Sequence, residues 1–403
     1  MVIIVATVLA AHVLLLYSFG VFLRPLTMEF NWERGALSTA LSICMLTTGL
    51  LSLFTGRLSD KYGPRFLVTA SAVLTLIGLL LLSKVSSLWQ VYLIFELLMA
   101  PAGACCIIPI TSTIPRWFAK KRGIALGLAF TGFGLGGIIA PILAQWLIDD
   151  YGWRQAYAAL GFIIFIIIAP LAQFMKHSPQ RVGLKPYGET GTVEGKQSLS
   201  SVAEGLSFKE AIKTGRFWNV GLLLFGFALT TQVIVTHIVP HAVDIGISAT
   251  IAASILSISS AAGLVGRNIM GFLSDKIGAR LVLGTCALLM TLAMVWVLFS
   301  RDVWMFYVFA LIFGFAQGGI MPLQNLISAE LFGLKFLGVI LAGLMFCSTM
   351  GGAIGTSLAG YIFDVRGSYS LAFLICIIIC ALGVLLSLIL LRSKGKRGIA
   401  VPK

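Results

Sequence analysis

The sequence predicts an all-α integral membrane protein made of two similar six-helix halves. Three observations predict it. Hydrophobic residues make up 59% of the 403 residues and charged residues only 11%, with a mean hydropathy of +1.00. A soluble chain of this size could not hide so much apolar surface, so its solvent is lipid. The apolar residues gather into twelve runs, each long enough to cross a hydrocarbon core of about 30 Å as a helix. Finally, the chain repeats itself 215 residues later. Gly56-Arg57-Leu58-Ser59-Asp60-Lys61-Tyr62-Gly63-Pro64-Arg65 returns as Gly271-Phe272-Leu273-Ser274-Asp275-Lys276-Ile277-Gly278-Ala279-Arg280, with seven of ten positions identical. The same offset carries Pro25 onto Pro240, Glu29 onto Asp244, Asp149 onto Asp364 and Gly152 onto Gly367. Two structural repeats in a membrane are the mark of a transporter.

The first run, 2–26, is too long for a cleavable leader and lacks a basic start, so it reads as the first span. The others are expected near 36–56, 66–83, 88–113, 123–148 and 154–175. After them come 217–240, 250–272, 281–299, 303–328, 338–363 and 368–392. None shows the two-residue alternation of a barrel strand, which leaves helices. Residues 176–216 are the one long polar stretch, Gly-, Ser- and Lys-rich, with a short helix expected at 208–212. The expected organisation is therefore a six-helix bundle at 1–175, a cytoplasmic linker at 176–216, and a second bundle with a basic tail at 217–403.

The net charge of +14 follows topology rather than nucleic-acid binding. With the N-terminus inside, 22 of the 29 Lys and Arg fall in the even-numbered loops, the linker and the tail. Six lie on the other side (Arg24, Arg34, Lys84, Arg154, Arg301, Arg366). That asymmetry places both termini in the cytoplasm of a cell-membrane protein, with the basic tail against inner-leaflet lipid. All seven cysteines fall within spans, so no disulfide framework is expected. Small residues recur at four-residue spacing, as at Gly123/Gly127, Gly132/Gly136 and Gly351/Gly355, which lets helix backbones approach closely, either as fixed packing or where the halves move. Neither a Gly-x-x-x-x-Gly-Lys-Ser/Thr phosphate loop nor a His-Glu-x-x-His zinc motif occurs. No cofactor, metal, ATP use or enzymatic activity is expected.

Arg267 is the one cation expected well inside a span. A charge at membrane depth costs about 2.5 kcal/mol or more, so it faces a wet cavity or snorkels to the interface. Ser260, Gly263, Arg267 and Gly271 share a helix face, small except for the arginine, which leaves room for a ligand. Guanidinium binds carboxylate through two parallel hydrogen bonds.

The doubled Gly-x-Leu-Ser-Asp-Lys-x-Gly-x-Arg resembles the loop 2–3 and loop 8–9 signature of the major facilitator superfamily. Twelve spans in two halves with a central loop fit that fold over essentially the whole chain. The resemblance implies that Asp60 and Asp275, with Arg65 and Arg280, latch one access state by meeting a helix N-terminus of the other half. A second stretch, Arg116-Trp117-Phe118-Ala119-Lys120-Lys121-Arg122-Gly123-Ile124-Ala125-Leu126-Gly127, looks like the entry to the fifth helix of monocarboxylate transporters and their bacterial oxalate–formate antiporter-like relatives.

From that resemblance, Arg267 stands where the family's eighth-helix arginine binds substrate carboxylate, and Leu15, Cys106, Phe346 and Thr349 would line the same cavity. The family's aspartate one turn earlier is Gly263 here, and its first-helix lysine has no counterpart in Tyr17–Phe22. Oxalate carriers place a lysine near Thr349, so a lone arginine favours a monocarboxylate over oxalate. The expected partners are a small monocarboxylate (lactate- or pyruvate-like) and a proton, moved together by a monomer; the alternative is an oxalate–formate-type organic-anion antiporter. With the usual acid missing, the proton could use Glu96, His12 or His237, while His241 and Asp244 read as surface residues near the outer end of helix 7.

Overall fold

The computed structural model describes residues 2–117, 122–175, 206–333 and 337–392, and over these the chain is almost entirely helical. Six stretches precede the linker: α1 (Val2–Phe30), α2 (Arg34–Tyr62), α3 (Pro64–Leu82), α4 (Leu88–Ile94), α5 (Ala100–Trp117) and α6 (Arg122–Gln173). A π-helical turn, Phe95–Met99, joins α4 to α5 so that they run as one span. After the linker come α7 (Phe208–Ile212), α8 (Gly215–Asp244), α9 (Ala249–Ile277), α10 (Ala279–Phe299), α11 (Val303–Phe332), α12 (Leu337–Arg366) and α13 (Ser370–Arg392).

Eleven helices among the described residues are long and apolar enough to cross a membrane, against twelve expected. The difference lies in α6, whose 52 residues carry two spans joined without a loop. Gly152 makes the joint: its φ of 78° lies in the left-handed region, which costs other L-residues strain. Its repeat partner Gly367, φ 66°, parts α12 from α13 in the same way. Pro64 opens α3 straight after Gly63, where its missing N–H costs nothing. The short α7 is closed by a reciprocal cap in which Ser207 and Glu210 each serve the other's backbone. The Ser207 N–H and hydroxyl hold the Glu210 carboxyl below the usual carboxylate range.

Helices 2–173 pack mostly on one another, as do helices 215–392, and three packings cross between the sets: α1 on α8, α2 on α12, and α6 on α9. Glycines set the tightest crossings inside each set. Gly132 and Gly136 of α6 lie against the backbone of α1 at Ala6 and Ala10. Gly314 and Gly318 of α11 meet α9, and Gly351 and Gly355 of α12 meet α8. Four-residue glycine spacing therefore serves packing within a set. Glycines that face the other set are different ones, including Gly20, Gly35, Gly137 and Gly360.

Candidate functional site

A cavity of about 480 Å³ opens among α1, α2, α3, the π-helical turn, α5, α6 and α12. His12, Leu15, Thr48, Ser52, Phe346 and Thr349 line it with many apolar neighbours, and no charged side chain does among the described residues. The wall is thus suited to an apolar ligand body with a few hydroxyl contacts. Leu15, Phe346 and Thr349 are brought together as the sequence suggested, and His12 joins them, 4% exposed. Cys106 is not in that wall: it is fully buried and turned towards Ser71 of α3.

Arg267 stands apart from this cavity. Helical geometry puts α1 between them, because Leu15 and Leu16 face the cavity while Tyr17 lies on the opposite side of the helix. On that side Tyr17 approaches Ser260 across Gly137, and its hydroxyl meets Gln317 in the field of Arg267. The arginine is half-buried where α9 crosses α6, its Nη1 donating to the carbonyl of Phe130 at 2.7 Å. Its Nε is buried without a partner. A guanidinium with an unused donor, flanked by a phenol and a carboxamide, can take an anion.

At one end of the molecule the halves are shut. Arg34, at the start of α2, reaches Asp244 at the end of α8 with both terminal nitrogens, at 2.6 and 2.9 Å. The same guanidinium donates to Tyr369 Oη at 2.9 Å and lies 3.9 Å above the Phe363 ring. Asp364, at the end of α12, accepts the backbone N–H of Arg34 at 2.9 Å and of Gly35 at 2.6 Å. A carboxylate on a helix N-terminus satisfies orphan donors and the helix dipole together. His237 is buried behind this gate, Nδ1 3.2 Å from Tyr369 Oη and Nε2 2.9 Å from the Thr356 carbonyl. Asp244 lies at the surface as expected and still pairs with Arg34, whereas His241, also expected there, packs among Phe306, Tyr369 and Phe373 behind the gate. The expected span stopped at residue 240, while α8 continues to Asp244: Asp244 stays at the exposed helix end, and His241 is half-buried.

The remaining candidates lie elsewhere. Glu96 sits in the π-helical turn, where Thr47 Oγ1 donates to its Oε2 at 2.6 Å and its Oε1 is buried without a partner. π-turns recur at functional sites because the extra residue re-aims a side chain. Arg65 binds Gln173 at 2.6 Å, and Arg280 binds Glu330 at 2.8 Å and the Leu390 carbonyl at 3.1 Å, so both work within their own set. The side chains of Asp60 and Asp275 lie outside the described residues, as do Lys120 and Lys121 of the basic loop and most of the 176–216 linker.

Sequence reading missed the gate. Arg34 counted only as a loop charge, and Asp364 only as the repeat of Asp149. A signal was present: Glu29/Asp244 and Asp149/Asp364 keep an acid at the same point of both repeats, at helix ends beside the turns.

Apolar helices in two sets that close on each other at the Arg34–Asp244 end are, among the described residues, the make-up of a membrane transporter. Comparisons agree. The Major Facilitator Superfamily model matches residues 5–273 and 234–402, and the chain belongs to that superfamily. It is similar to monocarboxylate transporter 13 of Bos taurus, 28% identical over 387 residues, covering 93% of this chain and 85% of the relative. Monocarboxylate transporter 11 of Mus musculus is 28% identical over 375 residues, covering 90% and 80%. An uncharacterized MFS-type transporter of Bacillus subtilis (strain 168) is 25% identical, covering 94% and 91%. Among solved structures, a bacterial homologue of the human lysosomal transporter Spinster shares the fold, with a TM-score of 0.79, 16% identity and 98% of each chain covered.

Proposed function

We propose that the protein is a secondary transporter of small monocarboxylates, lactate- or pyruvate-like, that moves them with a proton by alternating access between 1–175 and 217–403. The observation that carries this reading is the buried, unpartnered Nε of Arg267. A carboxylate on the Nε side would accept from Nε and Nη2 together, giving a charge-assisted bidentate pair while Nη1 keeps the Phe130 carbonyl. The relatives named monocarboxylate transporters support the cargo class. The apolar cavity lined by Leu15, Phe346 and Thr349 lies across α1 from Arg267, so a three-carbon cargo held by the arginine does not fill it in this conformation and meets those residues only after the halves rock, with Cys106 behind the wall. The shut end faces outward, the basic linker and both termini lie on the cytoplasmic side of the cell membrane, and Asp60 and Asp275 latch the opposite end, with Arg65 and Arg280 bracing it from within their own halves. Glu96 carries the proton: it is a carboxyl at membrane depth with one hydroxyl partner and a free oxygen, whereas His237 is spent on the gate and His12 lines the cavity wall.

The test is radiolabelled L-lactate uptake into proteoliposomes under an inward proton gradient, with Arg267→Ala as the paired control. Gradient-driven accumulation that vanishes in the variant supports the reading. Uptake that ignores the variant returns Arg267 to an interfacial anchor. Uptake that needs an anion on the far side and no proton gradient replaces symport by the oxalate–formate type of exchange.

A further inference from the structure

The two halves repeat, and their gate contacts do not. Residue 215 positions after Arg34 is Ala249, so the arginine that fills the crevice between α2, α8 and α12 is missing from the corresponding crevice between α9, α1 and α6. A second cavity, of about 440 Å³, occupies that place, and Ala249 lines it. Glu29 and Asp149, the repeat partners of Asp244 and Asp364, line it too.

The charges around this cavity are unevenly answered. Glu29 is taken up by Arg154 and by Trp153 Nε1 of its own half. Asp149 has only neutral partners, Gln145 Nε2 at 2.7 Å and Thr250 Oγ1 at 3.3 Å. Arg24 also lines the cavity and has no hydrogen bond or ion pair through its side chain among the described residues. Among the described residues, Asp149 therefore lacks a cation and Arg24 lacks an anion, in one cavity, and no ion pair joins them. Met28, Trp153, Val239, Pro240 and Val243 supply an apolar wall between α1 and α8.

We propose that this cavity is a binding site for a zwitterion with an apolar side chain, an amino acid, whose carboxylate meets Arg24 and whose ammonium meets Asp149. Charge-assisted hydrogen bonds at both ends would favour the zwitterion over either half-ligand. The ligand would bridge α1 and α6 to α8 and α9, doing in this crevice what Arg34 does in its twin. It would bind only while the gate end is closed, and so hold it closed.

The site is tested apart from the transport reading by working with Arg267→Ala, in which the proposed cargo site is silent. The melting midpoint of this purified variant is followed against L-leucine, 3-methylbutylamine and 4-methylpentanoate, which carry both charges, the cation alone and the anion alone. A saturable upward shift with leucine, at concentrations where the other two give little, is expected. Ala249→Arg, which places beside Asp149 the guanidinium its twin has, should abolish the shift, as should Arg24→Gln. Asp149→Asn serves as a third variant should either of these fail to fold. A shift that survives in the folded variants overturns the site, and so does the absence of any leucine shift. An equal response to 4-methylpentanoate or to the amine overturns the zwitterion assignment.

Discussion

Arg34 and Asp244 join the two halves through paired hydrogen bonds of 2.6 and 2.9 Å, and the repeat holds no second copy of that pair. Glu29, standing where Asp244 stands, turns to Arg154 of its own half instead. Closure at this end therefore leans on one side of the molecule. The Arg34 side chain is 9% exposed and that of Asp244 27%, so water screens the pair only in part. Removing one partner leaves a poorly hydrated charge, and the cost is about 2–3 kcal/mol for a pair that is partly wet. Asp244→Asn should shift the equilibrium towards opening by about 30-fold or more. Thiol labelling of Ser38→Cys, fully buried on α2 behind the gate, reads this directly. A double-mutant cycle with Arg34→Gln should show strong coupling, and additive effects would mean that the pair is decorative.

The same end has a second, steric component. A Cβ added at Gly360 would lie 2.8 Å from Gly35 Cα and 2.9 Å from the Arg34 carbonyl, both backbone atoms that cannot swing aside. Gly360→Ala must push α12 off α2 and pull Asp364 from the Arg34 and Gly35 N–H groups. Losing the cap alone, as in Asp364→Ala, costs about 0.5–2 kcal/mol. Both variants should speed labelling at Ser38→Cys, with Gly360→Ala at least matching Asp364→Ala. Unchanged labelling in Gly360→Ala would show that closure tolerates a wider crossing.

What the sequence made legible was whatever repeats or stays on one helix. Apolar runs marked the spans, the 215-residue offset marked the two halves, and the depth of Arg267 marked it as unusual. Contacts that join distant segments were not legible. Tyr17 and Gln317 beside Arg267 are ordinary span residues until α1, α9 and α11 are packed together. Arg34 looked like a loop charge because apolar runs end before helices do, and α2 begins at Arg34 itself. Helix ends at membrane depth are where polar residues pair between halves, and hydropathy cuts those residues off. Cys106 failed differently: the position suited a cavity wall, but its side of α5 packs on α3.

Arg267 separates charge from geometry. Lysine would keep the positive charge but lose the planar fork, so it could neither hold the Phe130 carbonyl nor present two parallel donors. Arg267→Lys should therefore bind a monocarboxylate at least tenfold more weakly, with Arg267→Ala weaker still. The contrast to measure is the half-saturating lactate concentration in exchange between equal internal and external pools. Equal values for lysine and arginine would mean that the site needs only a point charge.

Glu96 gives the sharpest test of proton coupling. Its carboxyl is held by Thr47 from α2 on one oxygen, and Cys44, one turn away on that helix, lies within its field. The side chain projects from a π-helical turn, so its position follows from an extra residue in the span rather than from loop flexibility. Glu96→Gln keeps the shape and an oxygen for Thr47 but cannot exchange a proton. Net uptake driven by a pH difference should lose its concentrating power, which for one-to-one symport is about tenfold per pH unit. Lactate exchange at equal pH, which needs no net proton movement, should persist. Thr47→Val removes the hydroxyl partner and leaves the carboxyl free, so it should move the pH dependence of net uptake without abolishing it. If Glu96→Gln still accumulates lactate against its gradient, the proton travels by another route, and His12 in the cavity wall becomes the next residue to replace.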